Sequence, residues 1–217
     1  MLSDTLTEEH RAAFANAQPF PHLVLDGLWP DDELHAAAAE FPPGDDPRWM
    51  TYPDPNEYGK RAGDSRMWGP AVNRFFTHAR SQQMCRQLEE LTGIGPLTAD
   101  DAGGGMHMTG PGGRLETHVD FNTHPTLPLE RRINLLVFLN TEWERDWGGV
   151  LYLGQQREVE VLPLFNRTVI FACSQDSWHG HPDPITGKHW RRSLACYYYA
   201  PLRPETGPAH STVWRPQ

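Results

Sequence analysis

Apolar residues before Gly93 recur largely at helical spacing, whereas after it they fall into short runs separated by turn residues. Leu6 to Gln18 is patterned as a short amphipathic helix, with Thr7 and Asp4 as candidate caps. "FPHLVLDGLWP", Phe20 to Pro30, reads as a strand running into a turn. "DDELHAAAAEFP" then places acidic side chains in the first turn of a second helix, which the Pro42–Pro43 pair stops. From Gly44 to Gly69 the chain is rich in Pro, Gly, Asp and Tyr, and a long loop is predicted; such loops in compact domains tend to be lids or binding loops. Pro70 to Gly93 has a proline start, 3.6-period apolar positions and a glycine stop, which predict one continuous helix.

The later runs are short enough to be strands: Gly105 to Thr109, Thr117 to Phe121, Asn134 to Leu139, Gly149 to Leu153, Val159 to Leu162, Thr168 to Ala172 and Ser193 to Tyr199. Helices followed by strands predict an α+β chain whose second part is a sandwich or barrel. One domain over 1–217 is expected, with helical support over about 1–93 and a β core over about 94–200. The glycines of "AGGGMHMTGPGG" lack a GK[ST] sequence and a β-α-β context, so they read as turns.

Composition narrows the classes. The 217 residues include eight Trp, nine Phe and six Tyr, enough aromatic mass for a core and a pocket. A net charge of −9 argues against a nucleic-acid partner, which needs a basic footprint. Cys85, Cys173 and Cys196 form no CxxC pair, so neither a zinc ribbon nor a disulfide scaffold is indicated, and a reducing, cytoplasmic compartment is expected. No apolar run approaches the ~20 residues of a membrane span.

The candidate chemistry begins in "ETHVDFN", Glu116 to Asn122. On a strand, positions i and i+2 share a face, so His118 and Asp120 can converge on one ion. "SQDSWHGHPDP" supplies His179 and His181, and a histidine from this pair completes a facial triad of two imidazoles and one carboxylate, which leaves open positions on a metal. These ligands suit iron, manganese, cobalt and zinc alike. Twelve residues beyond His179, in "RRSLACYYY", Arg191 and Ser193 alternate onto one strand face and offer a guanidinium fork and a hydroxyl to a carboxylate, while Arg192 and Leu194 face the other way.

With these residues the chain resembles the Fe(II)/2-oxoglutarate-dependent dioxygenases, in particular their prolyl-4-hydroxylase-like branch. "RRINLLVFLNTEWERDWGGVLYL" resembles that family's strand, "LN…W" turn and "GG.L.L" strand, and the likeness spans about Met106 to Tyr199. The resemblance implies a double-stranded β-helix, or jelly roll, with His118, Asp120 and His179 as iron ligands. It also implies that Arg191 and Ser193 hold the 5-carboxylate of 2-oxoglutarate, and that O2 is the other co-substrate. Met108 and Phe138 fall where the animal prolyl hydroxylases carry co-substrate tyrosines. They keep bulk and lose hydroxyls, which shifts weight to Arg191, Ser193 and Asn134; for Asn134 a bond to a neighbouring loop is the competing reading. In the related halogenases the carboxylate ligand is Gly or Ala, so Asp120 favours hydroxylation.

The expected reaction is therefore hydroxylation of an unactivated C–H bond of a small polar metabolite such as an amino acid, with release of succinate and CO2. A peptidyl-prolyl substrate is the alternative, and a halogenase, a non-redox cupin-like metalloenzyme and an inert binding module are further rivals. Tyr52, Tyr58, Lys60 and Arg61 in the Trp49 to Trp68 stretch are candidate lid groups for a carboxylate or phosphate, with a solvated charged loop as the bland reading. His181 and His124 are read either as groups beside the metal or substrate or as plain polarity, and His107 as a sheet histidine with satisfied hydrogen bonds. Trp178 is expected to pack beside the metal loop, and Trp143 and Trp147 to pin the turn before Gly148–Gly149.

Overall fold

A computed structural model describes residues 7–216. Helix α1, Glu8–Asn16, is capped by Thr7, whose side chain accepts from the His10 N–H; Asp4 and Leu6, predicted as a cap and the helix start, lie outside the described residues. Strand β1, His22–Asp26, and helix α2, Asp31–Ala39, follow as patterned.

Two expectations need correction. The stretch from Gly44 to Gly69 is not an unstructured loop: it contains strands β2, Met50–Thr51, and β3, Lys60–Gly63, which pair with each other. β3 also pairs with β4, Gly105–Thr109. "KRAG" carries no apolar alternation, because its place in the sheet comes from a partner distant in sequence. The single helix over Pro70 to Gly93 is two, α3, Pro70–Ala79, and α4, Gln82–Thr92. Ser81 is extended and its hydroxyl accepts from the Met84 N–H at 3.1 Å, so it starts a new helix. The apolar period runs through this break because both helices bury side chains in the same core. The Glu40 carboxylate accepts from the Ala71 and Val72 N–H groups at 2.7 and 2.8 Å, capping α3 from α2's end.

The remaining strands are β5 Leu115–Val119, β6 Leu129–Phe138, β7 Leu151–Leu153, β8 Val159–Val161, β9 Arg167–Ala172, β10 His179–His181, β11 Arg191–Pro201 and β12 Val213–Trp214. They form two antiparallel sheets, one ordered β1-β9-β6-β11-β4-β3-β2 and the other β12-β5-β10-β7-β8. β10 and β12 escape sequence pattern because neither is an apolar run. Period-2 alternation divides the large sheet. Ile133, Leu135 and Val137 of β6, with Leu194, Cys196 and Tyr198 of β11, bury against the helices. The other face carries Phe138, Val169 and Phe171, packed with Leu151, Leu153 and Val161 of the small sheet. The architecture is α+β, a double-stranded β-helix backed by helices.

Candidate metal centre and anion cavity

β5 and β10 are neighbours in the small sheet, and His118 and His179 are direct register partners. Each ring is oriented by the backbone two residues before it: His118 Nδ1 lies 2.8 Å from the Glu116 carbonyl, and His179 Nδ1 lies 2.9 Å from the Ser177 carbonyl. An N–H at Nδ1 donates to these oxygens, which leaves each Nε2 with a lone pair. Asp120, one residue past β5, places Oδ1 3.5 Å from His118 Nε2 and Oδ2 3.3 Å from His179 Nε2. One donor atom from each of the three lies within 4.8 Å of the others. Two imidazoles and a carboxylate on one side of a single point fit a divalent ion of octahedral preference. His181 lines the neighbouring cavity and stands outside this cluster.

Behind Asp120 stand two residues that sequence reasoning assigned no such part. Arg131 Nη2 is 2.9 Å from Asp120 Oδ2, and Asn134 donates to the same oxygen at 3.0 Å. Asn134 Oδ1 in turn accepts from Arg131 Nε and Nη2 at 2.9 and 2.6 Å, so its side chain steadies the metal-side carboxylate rather than a neighbouring loop. The guanidinium sits 3.4 Å from the Tyr197 ring centre. Burial would raise the Asp120 pKa; the Arg131 charge and then the two imidazoles outweigh it and hold the carboxyl well below its ordinary value. A bulge explains why Arg131 was missed. Tyr198 pairs with Ile133 and Tyr199 with Arg131, so Arg132 is the extra residue and strict alternation from Asn134 selects the wrong arginine.

Next to the cluster a cavity is lined by Lys60, His107, Thr109, His181, Arg191 and Ser193, among others. Arg191 donates through Nε to the Gly149 carbonyl at 2.8 Å, and its guanidinium lies 4.7 Å from the Phe138 ring centre. Among the described residues no carboxylate pairs with it, and burial pushes its pKa down to about 9. A buried guanidinium without a counter-ion is suited to an incoming carboxylate. Burial first, then the charges of Lys60, Arg131 and Arg191, depress the His107 pKa to about 3, so its ring is neutral. His107 lines the cavity.

Met108 does not. It is packed in the helix-facing core, whereas its neighbours His107 and Thr109 line the cavity, so alternation along β4 turns Met108 away from it. Phe138 contributes only its ring face beneath Arg191. His124 lies away from the cluster and ties loops together, with Nε2 2.8 Å from Asp100 and Nδ1 accepting from the Thr126 and Leu127 N–H groups. Trp143 Nε1 donates to the Gly148 carbonyl at 2.9 Å, pinning that turn, while Trp147 stacks on His189. Asp120 and Arg131 also line a second cavity of about 160 Å³, bordered by Asn122, Ser174, Gln175 and Thr206.

A metal-binding jelly roll with a cationic cavity beside the metal is thus the class that fold and site define. Residues 104–199 match the model of the 2OG-Fe(II) oxygenase superfamily. The chain is accordingly a dioxygenase whose cofactors are Fe(II) and 2-oxoglutarate. The fold is shared with a Pseudomonas putida prolyl-4-hydroxylase (16% identity, 88% of this chain and 98% of that one, TM-score 0.63). It is shared equally with HygX from Streptomyces hygroscopicus, solved with nickel and 2-oxoglutarate (14% identity, 97% of each chain, TM-score 0.64). A Trichoplax adhaerens prolyl hydroxylase in complex with a hypoxia inducible factor peptide is similar too (15% identity, 88% of this chain and 90% of that one, TM-score 0.61). No curated protein matches the chain.

Proposed function

We propose that the chain hydroxylates an unactivated C–H bond of a small polar metabolite, such as an amino acid, with His118, Asp120 and His179 holding Fe(II). Arg191 and Ser193 receive the 5-carboxylate of 2-oxoglutarate. The observation that carries this reading is the pairing of the three-ligand cluster with an uncompensated guanidinium in the adjoining cavity. Bound iron and 2-oxoglutarate supply the oxidising power: the co-substrate becomes succinate and CO2, and one atom of O2 enters the substrate C–H bond. The protein's own part is orientation. The Glu116 and Ser177 carbonyls fix the imidazoles, Arg131 and Asn134 fix the Asp120 carboxylate, and the Arg191 fork fixes the far end of the co-substrate.

A small substrate is supported by the second cavity, which at about 160 Å³ falls below the ~300–1,000 Å³ of pockets for drug-sized molecules and is bordered by polar side chains. HygX, which shares the fold, has also been solved with hygromycin B bound, a small molecule rather than a peptide. All three cysteines are free thiols, which supports a reducing compartment such as the cytoplasm.

The test is incubation with Fe(II), 2-oxoglutarate and labelled O2, offering a panel of amino acids and small polar metabolites beside proline-containing peptides. A small-molecule product carrying one labelled oxygen, with matching succinate, is expected even at high chloride. Turnover of peptides alone makes the chain a peptidyl-prolyl hydroxylase; a chlorinated major product removes the argument from Asp120.

A further inference from the structure

The ribbon made by β2 and β3 brings a second cation to the cavity. Lys60 pairs with Thr109 across β3 and β4, and Thr109 pairs with Arg191 across β4 and β11. The three residues therefore form one cross-strand row, and all of them line the cavity. Adjacent strands lie roughly 4.8 Å apart, which puts the Lys60 and Arg191 backbones roughly 10 Å from each other with Thr109 between them. Both arms are long enough for their heads to meet over the threonine. Lys60 Nζ is 2.6 Å from Glu57 Oε2 and 4.7 Å from the Tyr52 ring centre, so the ammonium is held in place from the ribbon side. An ammonium has three donors, and the Glu57 contact leaves others for a second anion. Arg191 has no carboxylate partner among the described residues.

We propose that Lys60 is a second binding residue for the distal carboxylate of 2-oxoglutarate, sharing it with Arg191 above Thr109. This rests on the co-substrate site proposed above. The bound carboxylate completes an alternating line of charge, Glu57 to Lys60 to ligand to Arg191, and every buried charge in it has an opposite neighbour. Because Lys60 stands on β3, the contact also fastens the ribbon over residues 50–63 to the co-substrate, so a segment patterned as loop becomes part of the binding site.

The test separates the distal carboxylate from the rest of the ligand. Binding of 2-oxoglutarate and of 2-oxopentanoate, which has the same chain length but ends in a methyl group, is measured calorimetrically on Mn(II)-loaded protein without turnover. Lys60→Met is expected to weaken 2-oxoglutarate roughly five- to twentyfold, the loss of one partly exposed charged hydrogen bond, and to leave 2-oxopentanoate within about twofold. Lys60→Arg should restore most of the difference, which a merely structural lysine would not require. Unchanged 2-oxoglutarate affinity in Lys60→Met, or an equal fall for both ligands, overturns the assignment. Arg191→Met is the control: if it discriminates between the ligands and Lys60→Met does not, only the role of Lys60 falls. If neither variant discriminates, the co-substrate site itself is misplaced.

Discussion

Replacing Arg131 by leucine should destabilise the metal-free protein far more than the metal-loaded one. The guanidinium and the Asp120 carboxylate lie 2.9 Å apart, with side chains 1% and 15% exposed. Removing one partner of a buried pair strands the other charge, at a cost of about 3–5 kcal/mol. Asp120 keeps its bond from Asn134 and a little solvent, so about 2–4 kcal/mol is expected. In a domain of this size each kcal/mol moves Tm by roughly 2–4 °C, so the metal-free variant should melt roughly 5–15 °C below the parent. A divalent cation on the same carboxylate takes over the neutralising charge. Saturating Mn(II) should therefore recover about half of that gap or more, beyond the ordinary stabilisation by a bound ligand. The lost stacking on Tyr197 affects both states alike, so the metal-dependent difference isolates the electrostatic part. Differential scanning calorimetry of parent and variant, with and without Mn(II), gives the four temperatures needed. Equal gaps in the two states, or a metal-free gap below about 2 °C, would refute the reasoning.

Two further predictions use the same balance of burial and pairing. For Glu130, burial would raise the pKa, but bonds from Arg203 and Thr206 and the charges of Arg132 and Arg203 keep it lowered; its carboxylate therefore adds stability above the unfolded pKa of about 4.3 that is lost as pH falls through the folded value. Chemical denaturation should find Glu130→Gln about 1–2 kcal/mol less stable at neutral pH, with the difference shrinking below pH ~4; a constant difference across pH contradicts this. Arg191→Met should bind 2-oxoglutarate roughly thirtyfold more weakly or worse, as for loss of a buried ion pair, while the ligand-free variant melts no lower than the parent because an uncompensated buried cation has been removed. Arg192→Met, altered on the outward side, should stay within about twofold in the same titration.

Much of this site is legible in the chain because local rules govern it. His118 and Asp120 sit two apart at a strand end, and alternation along β11 turns Arg191 and Ser193 inward and Leu194 toward the helices. The unread parts depend on distant partners or broken periods. Lys60 acquires its role from pairing with β4, Arg131 faces Asp120 only because of the bulge at Arg132, and Ser81 divides a helix whose apolar period does not pause. Met108 shows the converse, since its placement by resemblance ignores the alternation that points it into the helical core.

The most direct test of the account is anaerobic addition of Fe(II) and 2-oxoglutarate to the parent protein and to His179→Ala and His181→Ala, followed by visible absorption. A charge-transfer band, from iron chelated by the 2-oxo acid, is expected in the parent and in His181→Ala, and its loss in His179→Ala. No band in the parent, or a band that survives in His179→Ala and disappears in His181→Ala, would contradict it.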